Sequence, residues 1–374
     1  MNFGFSEDQD LIRKSARDFV QGESSLVRIR ELREDALGHS PEVWRKIAGN
    51  GWCGAIIPEE FGGVGLGCVD ITCILEEFGK GLMPEPLVTS GVLAASAILH
   101  GATDEQKQSL LPGIADGSVV ATLAAYEDKG RYDFTHVETK ADKAGNGYAL
   151  TGSKALVADA AAADVILVTA RTAAGVGLFA VKKGAAGLVL TPVSTMDRRR
   201  RYTLTLTKCE ATLIGAEGKA LPAVEAAIDR ACVAQAAEQV GGMEEALRRT
   251  LEYLHQRVQF GRAIGSFQAL KHKAANMYVE LEMARSSLYY AAMALDQGMA
   301  DKKSAVSSAK ALCSDGYIAV TKEAIQLHGG IGFTDEHDIH FFYKRAIVSS
   351  VTFGDGAHHR DRFAAENGFG KGAA

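Results

Sequence analysis

The sequence of 374 residues lacks the cysteine spacings of a metal site or a redox pair. Its six cysteines include no C-x-x-C pair, and no histidine follows at the spacing of a zinc ligand. Scattered thiols fit a reducing compartment, so we expect a cytoplasmic protein without a bound metal. The cysteines are Cys53, Cys68, Cys73, Cys209, Cys232 and Cys313.

Membrane and secretion signals are also missing. No apolar run approaches the length of a membrane-spanning helix, and the N-terminus does not have the basic-then-apolar order of a signal peptide. The formal net charge is -5, and the only long run of one sign covers residues 198–201, all arginine. That run could bind a phosphate or could lie in solvent. We therefore expect neither a membrane nor a nucleic acid as a partner.

The apolar pattern changes twice along the chain. From about residue 6 to residue 117, apolar residues recur at helical spacing. Short β-prone runs divided by glycine turns come next, and from about residue 223 the helical pattern returns. Its clearest segment predicts one buried helix face, with a residue every three or four positions: Leu270, Ala274, Met277, Leu281, Ala284, Leu288, Ala291 and Leu295.

This order predicts a mainly α protein with a small β domain. We expect an N-terminal helical domain over residues 1–117, a middle antiparallel β barrel or sandwich over 118–222, and a C-terminal four-helix bundle over 223–374. No G-x-G-x-x-G comes after a predicted strand, so the fingerprint of a nicotinamide cofactor is absent. The predicted strands are 119–125, 148–151, 165–169, 176–181 and 202–207.

The stretch RVQFGRAIG begins at Arg257, where a long helix is predicted to end, and SFQ comes directly after it. Arg257 supplies a fixed cation, Gln259 and Gln268 supply amide donors, and Phe260 supplies an aromatic face, a set that suits a diphosphate. The alternative is a simple turn between two helices, capped by Gly261.

A second glycine-rich stretch, QLHGG, runs from Gln326 to Gly330. Gly329 and Gly330 would let the backbone come close to a ligand and donate N–H groups to it. The alternative is close packing of helices across the glycines.

Together with PEEFGGVGLG at 58–67, ILEEFGK at 74–80 and the order of helices, strands and helices, these stretches resemble the acyl-CoA dehydrogenase family over nearly the whole chain. The resemblance implies FAD as cofactor, α,β-dehydrogenation of an acyl-CoA thioester to a 2-enoyl-CoA, and an electron-transferring flavoprotein as electron acceptor.

In that family each FAD lies at a subunit contact, where the R-x-x-F-G and Q-x-x-G-G segments hold the diphosphate and adenosine half of a neighbour's cofactor. The resemblance therefore implies a dimer or tetramer, formed with itself or with a second subunit. It assigns these residues to cofactor binding: Arg257, Gln259, Phe260, Gly261, Gln268, Gln326, Gly329 and Gly330.

The same resemblance implies a substrate pocket between the β domain and the C-terminal bundle. There the thioester carbonyl is polarised, a carboxylate removes the α-proton, and the β-hydrogen leaves as hydride. Asp229 matches an aspartate that contacts the CoA nucleotide, although the family's arginine three residues later is Cys232 here, with Arg230 nearby.

Several positions that would complete an active site depart from the family. Phe353 stands where the catalytic glutamate is usual, and Ala231 stands at the position that some members use instead. Leu156 and Ala158 replace a tryptophan that stacks on the flavin and a threonine two residues later. The family's T-E-P-x-A-G-S-D loop reads YEDKGRYD and keeps only Glu127 beside its final aspartate.

These departures leave three hypotheses. The chain is the partner subunit of a hetero-oligomeric acyl-CoA dehydrogenase, resembling the steroid side-chain or pimeloyl-CoA enzymes, and a second acyl-CoA dehydrogenase-like subunit supplies the glutamate. Alternatively, it is a homo-oligomer that uses Asp355 or Glu238 as its base. The third hypothesis is a non-catalytic structural or regulatory subunit that binds CoA esters.

Overall fold

The structure is a computed structural model that describes residues 4–369. These residues form eleven α-helices: α1 (Glu7–Glu23), α2 (Leu26–Leu32), α3 (Pro41–Gly49), α4 (Cys68–Lys80), α5 (Ala95–Gly101), α6 (Asp104–Ala115), α7 (Leu221–Gln256), α8 (Gln268–Asp296), α9 (Lys302–His328), α10 (Ile339–Val351) and α11 (Gly356–Glu366). They also form nine strands: β1 (Ala121–Ala124), β2 (Lys140–Ala144), β3 (Gly147–Ala158), β4 (Val165–Thr172), β5 (Gly175–Lys182), β6 (Leu188–Val193), β7 (Arg201–Ile214), β8 (Val258–Gln259) and β9 (Arg262–Ala263).

The chain divides into two compact units that interleave along the sequence. The first contains the described residues up to Arg30, Cys68–Met83 and the chain from Cys232 onward; the second contains Glu31–Gly67 and Pro84–Ala231. The predicted order of helices, β domain and helical bundle is confirmed. The domain boundaries after residues 117 and 222 stay predictions. No helix within residues 4–369 is both long enough and apolar enough to cross a bilayer.

Seven strands of the second unit form one sheet, five of which close into a β barrel. Strands β4, β2, β3, β7 and β5 pair in that order, and β5 pairs again with β4 to close the ring. The sheet was predicted to be antiparallel, and most of its pairs are. Strand β4, however, runs parallel to β1 and, at one pair of residues, to β2. Apolar side chains such as Leu150, Phe179 and Leu204 fill the interior and are fully buried.

Two strands of the sheet were not predicted. Strand β2 reads KADKA, and only Ala141 is buried, so it lacks the apolar alternation of a half-buried strand. Strand β6 carries Pro192 and pairs only with β7, as expected for an edge strand. Both strands depend on their neighbours more than on their own composition.

The first unit is built around helices α4, α8 and α9. Helix α8 contacts α9 and α4, and α9 also contacts α10 and α11. The predicted apolar stripe of α8 is buried from Met277 to Ala291, whereas Leu270, Ala274 and Leu295 at its ends are half-buried. Asp296, at the end of α8, accepts hydrogen bonds from the N–H groups of Cys68 (2.6 Å) and Val69 (3.0 Å). It therefore caps the start of α4 from another part of the chain.

Helices α4 and α7 touch backbone to backbone within this unit. A Cβ atom at Gly241 would lie 1.8 Å from the carbonyl oxygen of Glu76, and one at Gly79 would lie 2.1 Å from that of Glu238. Neither distance is possible for a real side chain, so both positions require glycine. The crossing also fixes where α4 places its buried glutamates, Glu76 and Glu77.

Replacing Gly241 with alanine tests this crossing. We expect Gly241→Ala to lower the free energy of unfolding by about 3 kcal/mol, because a backbone carbonyl must move to admit the methyl group. Gly22→Ala is the matched control, since Gly22 is also helical but has nothing within 4 Å of a built Cβ. It should leave stability unchanged or raise it by up to about 1 kcal/mol. Urea denaturation measures both, and equal losses would contradict the assignment.

Candidate functional site

A short hairpin lies directly after the end of α7. Strands β8 and β9 pair through Val258 with Ala263 and Gln259 with Arg262. Phe260 and Gly261 form the turn, with φ of 53° and 78°. A positive φ is easy for glycine but unusual for phenylalanine, so the turn holds Phe260 in a strained conformation. The ring of Phe260 is 92% exposed.

A glycine break lies directly after the end of α9. Gly329 has φ of 63°, and its N–H donates to the carbonyl of Gln326, which closes the last turn of the helix. Nothing lies within 4 Å of a Cβ built on Gly329 or Gly330. Conformation rather than crowding therefore requires glycine at residue 329, and the exposed backbone there is open to a ligand.

The hairpin and the glycine break line one open cavity of about 630 Å³, which we call the clasp cavity. Among the predicted cofactor residues, Arg257, Gln259, Gln326, Gly329 and Gly330 line it, whereas Phe260, Gly261 and Gln268 do not. The lining also includes three polar residues that the motifs did not single out: Tyr253, Lys273 and His328.

The chemistry of the clasp cavity fits the adenosine diphosphate half of FAD. Arg257 is an exposed cation, and the exposed backbone at Gly330 offers an N–H donor to phosphate oxygens. Ile264 and Leu270 add apolar wall, which suits a heteroaromatic base. The residue set can thus hold both the charged and the flat part of the nucleotide.

The positions matching the flavin-ring contacts lie on β3. The strand has a register shift between Lys154 and Val157, and within it Leu156 has φ of 52° and is 55% exposed. The bulge turns this side chain outward, but leucine offers no flat ring for stacking. Ala158 has no hydroxyl, and its carbonyl accepts from Thr122 Oγ1 at 2.8 Å.

The glutamate retained from the loop motif is a buried structural anchor. The Glu127 carboxylate accepts from Lys154 Nζ (2.7 Å), Thr139 Oγ1 (2.7 Å) and the N–H of Glu138 (2.7 Å). Burial pushes the pKa of Glu127 up, but the hydrogen bonds from Lys154 and Thr139 outweigh it and lower the pKa to about 2. Glu127 is therefore ionised and ties the loop to β3.

The loop that would carry the usual catalytic glutamate lies after α10. Phe353 and Gly354 both have positive φ, 61° and 114°. His359 Nε2 lies 3.1 Å from the carbonyl oxygen of Phe353, and Lys310 Nζ donates to that of Gly354 at 3.1 Å. The loop is thus held through backbone atoms, while the side chain of residue 353 cannot accept a proton.

Lys310, which no motif indicated, is the centre of this arrangement. Its ammonium group is fully buried and donates to Ser314 Oγ (2.9 Å) and to the carbonyls of Ser349 and Ser350 (both 3.2 Å), besides Gly354. Burial lowers the pKa of Lys310 to about 8. A buried cation with four acceptors stabilises the end of α10, because a cation near a helix C-terminus interacts favourably with its last carbonyls.

The two alternative bases have structural contacts. The Asp355 carboxylate accepts from the N–H of His358 at 2.8 Å and caps α11. Glu238 is 5% exposed and accepts from Gln235 Nε2 at 2.8 Å. It lies two turns beyond the fully buried Ala231, on the order of 10 Å along α7. Their roles as bases stay predictions.

Two other candidate sites, Asp229 and the arginine run, are also buried or hydrogen-bonded within the chain. Asp229 is 4% exposed, so its role as a CoA contact stays a prediction, and Arg230 bonds with His100 at 2.7 Å. In the arginine run, Arg200 donates to the carbonyls of Arg33 and Asp35. Arg200 thus fixes a neighbouring loop. Within residues 4–369, no group of three or more His, Cys, Asp or Glu is arranged to hold a metal ion.

Family models match the chain in three consecutive parts. The acyl-CoA dehydrogenase N-terminal domain matches residues 6–118, the middle domain 122–209 and the C-terminal domain 220–367. The chain therefore belongs to the acyl-CoA dehydrogenase family, flavoprotein oxidoreductases that act on CH–CH bonds of acyl-CoA, and the predicted family, fold and enzyme class are confirmed.

Individual relatives cover nearly the whole chain. Acyl-CoA dehydrogenase IpdE2 of Mycolicibacterium smegmatis is 31% identical over 362 residues, 96% of this chain and 99% of that protein. The Tcur3481-Tcur3483 steroid ACAD superposes with a TM-score of 0.89 at 33% identity, covering 98% and 99% of the two chains.

Two further structures bear on assembly and cofactor. The ChsE4-ChsE5 complex from Mycobacterium tuberculosis has a TM-score of 0.90 at 26% identity, covering 98% of this chain and 99% of that one. PigA with FAD and proline has a TM-score of 0.92 at 27% identity, covering 99% and 100%. The expected cofactor, FAD, is thus present in a structure of this fold.

The buried Glu127 predicts an acid-sensitive loss of stability. Its pKa is about 2 when folded against an ordinary 4.5, so the unfolded chain binds more protons between those values. Its contribution is complete above pH 4.5 and is lost as the pH falls to about 2. Glu127→Gln should cost about 3 kcal/mol at neutral pH, since it leaves Lys154 buried without its anion, and this deficit should shrink in acid.

Urea unfolding of both proteins at stepped pH measures that deficit. Glu138→Gln is the matched control, because the Glu138 carboxylate is 54% exposed and pairs with Lys129 at the surface. It should change stability by less than about 1 kcal/mol at every pH. A Glu127→Gln deficit that does not depend on pH would refute the ionised, anchoring role.

Proposed function

We propose that this chain is the partner subunit of a hetero-oligomeric, FAD-dependent acyl-CoA dehydrogenase, which converts an acyl-CoA thioester to a 2-enoyl-CoA. The observation that carries the proposal is an asymmetry. The clasp cavity retains its cation, its amides and its glycine backbone, whereas residue 353 offers no proton acceptor. The chain is equipped to hold a neighbour's cofactor and is not equipped to complete its own site.

In this assembly the clasp cavity holds the diphosphate and adenosine half of FAD. Arg257 balances the diphosphate charge, and the N–H group of Gly330 donates to its oxygens. When bound, FAD supplies the hydride acceptor of the reaction. The chain's own contribution is to fix the nucleotide end and to keep it away from water.

Exposed apolar side chains around the clasp support burial against a neighbour. Val258 is 57% exposed, Phe260 92%, Ile331 41% and Phe333 77%. All four lie on the hairpin or on the turn after the glycine break. Apolar side chains grouped beside a ligand cavity mark an interaction surface. A second subunit that brings the flavin would also cover them.

Because this chain lacks the usual catalytic base, a second kind of subunit is needed to supply it. Asp355 and Glu238 already bond within the chain, and the loop at residue 353 is held in place through its carbonyls. A second acyl-CoA dehydrogenase-like chain would bring the glutamate that removes the α-proton in its own site. Two structures of this fold carry paired names, the Tcur3481-Tcur3483 steroid ACAD and the ChsE4-ChsE5 complex. These pairs support a hetero-oligomeric assembly.

The substrate class we propose is a CoA ester with a bulky ring system. The steroid ACAD likeness supports it, and so does the loss of a large aromatic ring at Leu156, which leaves room beside the flavin position. A panel from short straight-chain to steroid-derived CoA esters tests the class on the assembled enzyme. Preference for short straight chains would refute it. An electron-transferring flavoprotein remains the expected electron acceptor.

Co-expression tests the proposed assembly. The chain should be colourless and inactive alone, and should yield a yellow, active complex when produced with a second acyl-CoA dehydrogenase-like chain encoded beside it. In that complex Arg257→Ala should lower FAD occupancy about tenfold or more, because a diphosphate loses its cation. Arg262→Ala is the matched control, since Arg262 stacks on Phe267 at 4.1 Å and does not line the clasp cavity. Visible absorbance measures occupancy.

Full FAD occupancy and turnover by the lone chain would contradict the partner role. Asp355→Asn would then test the homo-oligomer, because asparagine caps a helix about as well as aspartate but cannot act as a base. Lost turnover with retained FAD would identify Asp355, and Glu238→Gln applies the same test to Glu238. Absence of flavin from both the lone and the co-expressed protein would favour a non-catalytic CoA-ester-binding subunit.

A further inference from the structure

One wall of the clasp cavity contains a histidine, at a position that the Q-x-x-G-G motif leaves open. His328 is the last residue of α9, lines the cavity and is only 3% exposed. Its ring stacks on Tyr253 with centroids 4.5 Å apart and planes 25° apart, and the ring of His337 lies 4.6 Å away. Contacts on the ring therefore fix its orientation.

The hydrogen bond of His328 determines which nitrogen carries the proton. Nδ1 lies 2.7 Å from the carbonyl oxygen of Ala324. A carbonyl only accepts, so Nδ1 must donate, and the neutral ring keeps a lone pair on Nε2. Nε2 has no hydrogen-bond partner among the described residues. The cavity wall thus presents one hydrogen-bond acceptor from an oriented ring.

The surroundings keep both histidines neutral. Burial lowers the pKa of His328, the bond to Ala324 opposes this, and His337 lowers it further. Burial also lowers the pKa of His337, with Asp338 raising it and Arg249 lowering it. The N–H of Ile339 donates to His337 Nδ1 at 3.2 Å, which a proton on that nitrogen would prevent. His328 is therefore an acceptor near neutral pH.

An ionised diphosphate has only acceptors, so a neutral His328 cannot bond to it. The adenosine half of a dinucleotide does have donors, namely the ribose hydroxyls and the exocyclic amine of adenine. We propose that His328 is a specificity-determining residue of the clasp, whose Nε2 accepts a hydrogen bond from the adenosine. This inference rests on the proposed function of the clasp cavity. Arg257 then binds the charged diphosphate, and His328 recognises the adenosine.

Nucleotide titrations of the co-expressed complex, freed of its FAD, test this role, with ADP as the probe and the variants made in this chain. His328→Phe keeps a flat ring against Tyr253 but has no acceptor, and it should bind ADP about tenfold more weakly. His328→Gln places an amide oxygen near the position of Nε2 and should restore most of the affinity. Inosine diphosphate, which lacks the amine, and 2′,3′-dideoxy-ADP, which lacks the ribose hydroxyls, identify the donor. The probe that lacks the donor should bind the wild-type chain weakly, and its affinity should be the same for wild type and His328→Phe.

A pH series separates a ligand contact from a packing role. Acid protonates Nε2 and removes the acceptor, so the preference of the wild-type chain for ADP over the weaker probe should disappear in acid, whereas that of His328→Gln should not. Equal ADP affinity in wild type and His328→Phe, with binding still weakened by Arg257→Ala, would overturn the inference and leave the clasp intact. No ADP binding by any variant would instead contradict the proposed clasp function.

Discussion

The stacking of Tyr253 on His328 joins the ends of two helices, and the segments after those two ends form the clasp. Helix α7 ends three residues after Tyr253, and α9 ends at His328 itself. A helix end leaves backbone groups without partners, and a break there allows conformations that a helix forbids. The strained turn at Phe260 and the glycine break at Gly329 are such breaks. Residues beside both breaks, Arg257 and Gln259 on one side and Gly329 and Gly330 on the other, line the clasp cavity.

The end of α10 shows the same principle with a different outcome. Lys310 and His359 hold the loop at residues 353–354 through carbonyl oxygens, so the backbone path does not depend on which side chain stands at residue 353. A glutamate there could be replaced by phenylalanine without loss of the fold. Under the proposed function, this separation of scaffold from chemistry explains how a chain can keep the architecture of an acyl-CoA dehydrogenase without the usual base.

The sequence was informative where local chemistry decides the structure. The glycines at 261 and 329 do adopt positive φ, and the stripe on α8 is buried through its centre. It was uninformative where a partner distant in the chain decides. Nothing in the sequence around Lys310 distinguishes it from other helical lysines. Only the fold shows the four acceptors around it, which come from α9, α10 and the loop after α10. Strand β2, with one buried residue, forms because β3 offers it a complete ladder.

When two subunits share a cofactor across their interface, one subunit can lose some of its cofactor-binding residues only if the other subunit's site does not need them. Under the proposed function, this subunit stays necessary although its own loop carries no base, because loss of Arg257 or of the glycine break would empty the neighbour's site. The residues proposed to serve the neighbour lie on the hairpin and after α9, and the positions that match the family's flavin-ring contacts lie on β3. These sets share no residue. Under the proposed function, one set can be kept while the other is lost.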